Sequence, residues 1–121
     1  MSDYAWIIDR DHLYETFKAE DGETVFPSAV GVVGPGNAKF GTSTEDHEAK
    51  HTELGTRYQH RNAFKMYDDD GELYYSGYLY WDGEIDDPDE HQIAGPLDDY
   101  GMPGSGCTRI TYHRKPEWEI G

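Results

Sequence analysis

The segment Asn62–Trp81, NAFKMYDDDGELYYSGYLYW, constrains the fold more than any other stretch of the chain. Residues 62–67 alternate, with Phe64 and Met66 on one side and Ala63, Lys65 and Tyr67 on the other, which is the period of a strand. Asp68-Asp69-Asp70-Gly71 supplies the turn, because Asp-Gly accommodates the positive φ of tight hairpins. The returning run Glu72–Trp81 puts Leu73, Tyr75, Leu79 and Trp81 on one face and Tyr74, Ser76, Tyr78 and Tyr80 on the other. A strand with aromatic side chains on both faces is expected at the centre of a sheet covered on both sides, unless one face is a binding surface. Gly77, in mid-strand, predicts a bulge or a close backbone contact.

Composition decides whether such a sheet has a core. Leu, Ile, Val and Phe number 19 of 121 and the net charge is −15, a combination typical of disordered chains. Ten Tyr and three Trp offset that shortage, since each ring buries a large area. The expectation is one folded domain over residues 1–121 whose core is aromatic.

Shorter signals fill in the rest. Tyr4–Ile8 reads as an opening strand and Asp9–Phe17 as a short helix or an irregular segment. Asp21-Gly22 marks a turn. Ala29–Val33 reads as a buried strand ended by Gly34-Pro35-Gly36. Thr44–Leu54 has helical character, with Ser43 or Thr44 as cap, Glu45 and Asp46 in the first turn and Gly55 as terminator. Asp82–Gln92 reads as an exposed acidic loop. Gly95–Gly106, rich in Gly and Pro, reads as an ordered loop tied down by Leu97, Tyr100 and Met102. Cys107–His113 alternates as a strand with Cys107, Arg109, Thr111 and His113 on one side. Lys115-Pro116 turns, and Trp118–Ile120 closes the chain as a strand. The fold class expected is α+β: five or six mainly antiparallel strands, in an open sheet or a small open barrel, with one or two short helices.

The run GPLDDYGMPGSGCTRITY (95–112) resembles the closing motif of a family of small bacterial and phage proteins. The opening Trp6–Tyr14 stretch, the VGVVGPGNA segment (30–38) and the acidic hairpin DDDGELYYSG are similar to the same family. The resemblance implies one compact fold and brings no catalytic residue with it. Small phage-associated families often include inhibitors of host defence.

Several chemistries lack their residues. His47 and His51 stand four apart on the predicted helix with Glu48 beside them, but zinc needs a third ligand in a fixed place. Asp46, His60 or His91 could serve and no spacing selects one, so the two histidines are expected to be solvated and no metal is expected. Asp68, Asp70 and Glu72 resemble the start of a calcium loop; its sixth position would be Leu73 and its twelfth Leu79, which breaks the pattern. The Gly34–Lys39 segment lacks the Gly-Lys-Ser/Thr of a phosphate loop. Ser105 lies between glycines without the Gly-x-Ser-x-Gly elbow. Cys107 and His113, six apart on one strand, would be roughly 20 Å apart and cannot form a nucleophile–base pair. A non-enzymatic protein without cofactor is therefore expected.

What remains is charge. Residues 1–65 hold 11 acids and 7 bases; residues 66–108 hold 12 acids and no Lys or Arg; residues 109–121 hold 2 acids and 3 bases. This disfavours direct contact with nucleic acid or an anionic membrane. The run of apolar residues needed to span a bilayer is lacking, no signal-like basic N-terminus is seen, and the single cysteine fits the reducing cytoplasm. The expected partner is a basic protein whose nucleic-acid-binding surface these carboxylates occupy, as an inhibitor of a defence nuclease would. Asp68, Asp69, Asp70, Glu72, Asp82, Glu84, Asp86, Asp87, Asp89 and Glu90 would make first contact. Tyr74, Tyr78, Tyr80 and Trp81 would supply the packed part, if exposed. Arg57, Arg61 and Lys65 form a minor basic cluster. Two other readings compete: acidity that serves solubility or adaptation to high salt, and a carbohydrate or small-ligand module that stacks its ligand on the tyrosines.

Overall fold

Seven strands hydrogen-bond into one open sheet in the order β3-β2-β1-β5-β4-β6-β7, every pairing antiparallel. The strands are β1 (Tyr4–Asp11), β2 (Ser28–Gly34), β3 (Ala38–Lys39), β4 (His60–Tyr67), β5 (Leu73–Trp81), β6 (Arg109–Tyr112) and β7 (Lys115–Ile120). A long helix, α1 (Thr44–Arg57), follows β3; α2 (Glu90–Pro96), a π-helical turn (Leu97–Gly101) and α3 (Met102–Ser105) precede β6. The computed structural model describes residues 4–12, 28–41, 43–84 and 88–121. The turn expected at Asp21-Gly22 lies outside them. No described helix is long and apolar enough to cross a membrane. The α+β class is as expected, with the sheet open rather than closed into a barrel and β3 and β7 as its edges.

The hairpin sits where its two-faced pattern requires. β5 lies between β1 and β4, and its faces belong to different clusters. Tyr75, Leu79 and Trp81 join Trp6, Ile8, Phe64, Met66, Tyr112 and Trp118 on the front face. Tyr80 and Tyr78 join Ala5, Ile7, Leu54 and Tyr58 on the back face, beneath α1. Six of the thirteen buried members of the front cluster are aromatic, so rings do replace the missing aliphatics. Gly77 is a close contact: a Cβ there would lie 1.8 Å from the Ile7 carbonyl oxygen.

The front face is covered by the stretch expected to be loop. Gly95 and Pro96 are buried within a helical run that also includes Leu97, and Met102, expected to anchor it, is the exposed member. Leu97 in the front core and Tyr100, packed on Trp6 and Tyr75, anchor it as expected, and polar groups add to them. Tyr4 Oη and Trp6 Nε1 both donate to Asp99 Oδ2, at 2.7 and 3.0 Å. Tyr112 Oη donates to the Ile93 carbonyl at 2.7 Å, and Tyr75 Oη meets Ser105 Oγ at 2.5 Å. Gly101 lets the backbone approach the Met66 sulfur, which a Cβ would meet at 2.6 Å. Buried hydroxyls that find partners at each end make this cover specific rather than greasy.

Other boundaries also differ from the sequence reading. α1 is capped by Ser43, whose Oγ accepts from Asp46 N at 3.0 Å, but it passes through Gly55 and ends at Arg57. Residues 9–11, assigned to a helix or irregular chain, continue β1. The final turn is His113–Arg114, with Arg114 at φ +60°, and Lys115-Pro116 opens β7. Cys107 precedes β6 and is buried in the front core, apart from exposed Arg109 and from Thr111 and His113, which line the back of the sheet.

Candidate functional site

The base-free block of the sequence supplies the centre of the sheet, the hairpin tip and the cover of the front face. It forms the end of β4, the hairpin tip, β5, the loop after it, and the α2–π–α3 cover of the front face. Of the described bases of the first half, Arg61 sits 5.2 Å over the Tyr78 ring, Lys50 lies 5.7 Å from the Phe40 centroid, and Lys65 lines a back-face cleft. Among the described residues, no base forms an ion pair with Asp68, Asp69, Asp70, Glu72, Asp82, Glu84, Asp89, Glu90 or Asp98.

These carboxylates are not equivalent. Asp68 Oδ1 accepts from Asp70 N and Glu72 N at 2.9 and 2.8 Å, so it holds the turn. Asp82 Oδ1 accepts from Gln59 N at 2.8 Å and ties the end of β5 to the exit of α1. Asp89 opens α2, where Gln92 Oε1 accepts from its N–H at 2.8 Å. Asp69, Asp70, Glu72, Glu84, Glu90 and Asp98 are exposed without such duties among the described residues. The hairpin tip and the Asp82–Glu84 corner stand at opposite ends of β5, roughly 26 Å apart for eight strand rises. That is about three Debye lengths at physiological salt, so the two ends act on a partner independently. Asp86 and Asp87 lie outside the described residues.

The aromatic part of the predicted surface largely leaves it. Tyr80 and Trp81 are both 1% exposed, Tyr80 under α1 and Trp81 against Trp118 in the front core, with ring centroids 5.6 Å apart. They are correctly read as the two faces of a central strand and are core residues, not contact residues. Tyr74 and Tyr78 are half-buried. Tyr74 stands beside the acidic tip; desolvation first, then the charge of Asp68, raises its hydroxyl pKa. Tyr78 faces the back, away from the front cover.

The back face holds a constellation that sequence spacing did not select. β1 carries one extra residue against β5 between Ile8 and Arg10, which pair with Gly77 and Ser76. The bulged residue is Asp9, and bulges re-aim side chains. Its carboxylate meets both histidines of α1: His47 Nδ1 at 2.7 Å, and His51 Nε2 at 3.1 and 3.2 Å. His51 Nδ1 meets Tyr80 Oη at 2.5 Å, and Arg61, opposite Tyr80 in the ladder, lies beside that hydroxyl. Burial alone would raise the Asp9 pKa; hydrogen bonds from His51 and His47, and their charge, bring it below the ordinary value. For Tyr80, burial outweighs the Arg61 contact and raises the hydroxyl pKa.

The two histidines are thus not the solvated pair expected. Their side chains are 14% and 19% exposed. The third group is Asp9, not Asp46, His60 or His91: Asp46 packs against Gly41, His60 Nε2 meets the Gly83 carbonyl at 2.8 Å, and His91 packs on Tyr4. The signal available in the sequence is a charged residue directly after the apolar run YAWII. Beside this cluster the sheet leaves a cleft of about 430 Å³, lined by Asp9, Arg10, Lys65, Tyr67, Ser76, Tyr78, Thr111 and His113 among others. No family model, no curated protein and no solved structure matches the chain.

Proposed function

We propose that the protein acts by stoichiometric binding to a basic protein partner in the cytoplasm, using its base-free block to occupy a surface of the kind that holds nucleic acid. The observation that carries this reading is the set of exposed carboxylates at both ends of β5 and on the front cover, with no ion-pairing base among the described residues. Asp69, Asp70 and Glu72 make one contact and Glu84 and Glu90 the other, with Asp98 on the front cover as a further exposed carboxylate and Tyr74 as the aromatic neighbour of the first. Asp68, Asp82 and Asp89 contribute charge while holding local structure. Exposed carboxylates can stand in for duplex phosphates, which present a charge every ~1.7 Å of axis, to a groove built to hold them. Attraction of this kind speeds encounter and weakens steeply with salt.

The test is a titration against a partner captured from the native host, at low and high salt, with each end neutralised separately. Weakening by salt, and by Asp69→Asn/Asp70→Asn/Glu72→Gln or Glu84→Gln/Glu90→Gln, supports the reading. Affinity that ignores both salt and these substitutions overturns it.

The back-face cleft favours a second reading, a small-ligand module. It is concave, carries Tyr67 and Tyr78 with the bases Arg10 and Lys65, and opens on the side away from the acidic cover. One face of each ring is already taken, by Arg109 at 5.4 Å from Tyr67 and by Arg61 at 5.2 Å from Tyr78. A small anion suits this lining better than a stacked sugar. Shifts in the Tyr67 and Tyr78 ring signals with simple dicarboxylates, and not with monosaccharides, are the expected result for this site.

A further inference from the structure

We infer that Asp9, His47 and His51 form a binding site for a late first-row divalent metal ion such as zinc, with a coordination position left open to solvent. Their ligand atoms lie within 4.8 Å of one another. A tetrahedral zinc with bonds of about 2.0–2.1 Å needs ligand atoms about 3.3 Å apart. The Asp9 Oδ1 contacts with His47 Nδ1 and His51 Nε2, at 2.7 and 3.1 Å, are shorter than that spacing, so an ion would push these groups slightly apart rather than draw them together.

Three further features point to a ligand rather than to a simple charged clamp between helix and strand. The first is His47 Nε2, which is buried and has no hydrogen-bond partner; an ion met by Nε2 after a turn of the ring, with Nε2 in place of Nδ1 as the ligand atom, would satisfy that otherwise uncompensated group. The second is the support behind His51. Its Nδ1 faces Tyr80 Oη, an arrangement that leaves Nε2 toward Asp9 with its lone pair free when the Nδ1 proton is donated to the tyrosine oxygen. Metal-bound histidines are held in this way by an oxygen behind the ring. The third is the placement of the ligands. His47 and His51 share one face of α1 at i and i+4, anchored by the Ser43 cap, while the β-bulge turns Asp9 toward them.

The set of two imidazoles and one carboxylate selects zinc, cobalt, nickel or copper over magnesium and calcium, which prefer all-oxygen sites. The trio lies on a depression of about 310 Å³ that Ser43, Thr44, Glu48 and Arg10 complete. Glu48 is within this lining as a further oxygen donor. Arg10 opposes a cation there and favours an anion or hydroxide as the exogenous ligand on the open side.

The experiment uses the full chain, freed of affinity tag and treated with chelator, titrated calorimetrically with zinc and, by absorption, with cobalt. The expected result is one ion per chain and the visible bands of a low-coordinate cobalt site with nitrogen and oxygen donors. Binding falls as pH is lowered and protons compete for the imidazoles. His51→Gln and Asp9→Asn each abolish the cobalt bands, whereas Tyr80→Phe, which leaves all three ligands, weakens affinity about 10-fold or more. Circular dichroism of each variant shows whether it is folded. Should Asp9→Asn unfold the chain, His47→Asn with Tyr80→Phe gives the same reading. Absence of cobalt bands in the folded wild-type chain overturns the site, as does binding that persists unchanged in the folded variants, which would assign the ion to surface carboxylates. Neither outcome bears on the acidic docking surface, whose test reads a different partner.

Discussion

At the scale of single residues, burial and hydrogen bonding set what each titrating group can do. Asp9 is held below its ordinary value of 3.8 despite its burial, because two imidazoles bond it. The sign follows: the carboxylate's contribution to stability is fully present above 3.8 and disappears as pH falls through the lower folded value. Asp9→Asn lacks that contribution. Urea unfolding is expected to show a stability deficit for the variant near neutrality that shrinks below pH 3.8; a deficit that stays constant into acid would show that the network does not depend on the charge. Cys107 is the opposite case. Desolvation first, then the charge of Asp68, pushes its thiol up to about 11, and the side chain is fully buried. Because the thiolate is the reactive form, a disulfide reagent at pH 8 should modify it only in denaturant. Rapid labelling of the native protein would contradict the core placement. This also removes Cys107 as a candidate nucleophile on physical grounds, beyond its distance from His113 along the chain.

At the scale of elements, legibility followed the range of the physical signal. The hairpin is readable because alternation, the Asp-Gly turn and two-sided aromatics are all local: Phe64, Met66, Tyr75, Leu79 and Trp81 lie on the front and Tyr78 and Tyr80 on the back, as expected, whereas a register shift after Met66 pairs Tyr67 with Leu73 and leaves Tyr74 packed against the front cluster instead of the Tyr78 face. The helical character of the 95–106 cover is not legible locally, because Gly and Pro usually punctuate a chain. Here they serve packing: Gly95 lies under the Tyr4 ring, Gly101 against Met66, and Pro103 stands at the start of α3, where its missing N–H costs little. The Asp9 cluster was half readable. The i, i+4 histidines could be found on the helix, but their third partner lies 38 residues upstream of His47 and is aimed by a bulge that only pairing with β5 creates. Gly77 tests how tightly that pairing is specified. A methyl group there meets the Ile7 carbonyl at 1.8 Å and Phe64 at 3.1 Å, with backbone that cannot move aside without breaking the β1–β5 ladder. Gly77→Ala is expected to lower the unfolding free energy by about 2 kcal/mol or more, above the usual range for surface changes. A loss under about 0.5 kcal/mol in urea denaturation would mean that the sheet centre is far more plastic than its geometry indicates.

At the scale of the whole molecule, the question is whether a net charge of −15 is a working surface or a general coat. Adaptation to high salt spreads carboxylates over the entire exterior and makes the fold depend on screening. Among the described residues the bases are unevenly placed: there is no Lys or Arg in the 66–108 cover and hairpin, while Arg10, Lys50, Arg61 and Lys65 lie around α1 and the cleft, where Glu45, Asp46, Glu48 and Glu53 of α1 are also exposed. Such a surface still repels itself along its acidic stretches, so salt should stabilise the fold modestly by screening. The two accounts then separate by sign and size. If the acids serve a partner, the chain remains folded at low salt. Neutralising Asp69, Asp70 and Glu72 then leaves stability within about 0.5 kcal/mol or raises it, as is common where a surface is kept for function rather than for folding. The same substitutions weaken partner binding, so stability and affinity move independently or in opposite directions. Thermal unfolding from about 10 mM to 1 M salt, where the screening length falls from about 30 to 3 Å, is the measurement. A chain that unfolds on dilution, and that regains its structure when these three carboxylates are neutralised, would instead make the charge a response to salt and leave the docking surface without a physical basis.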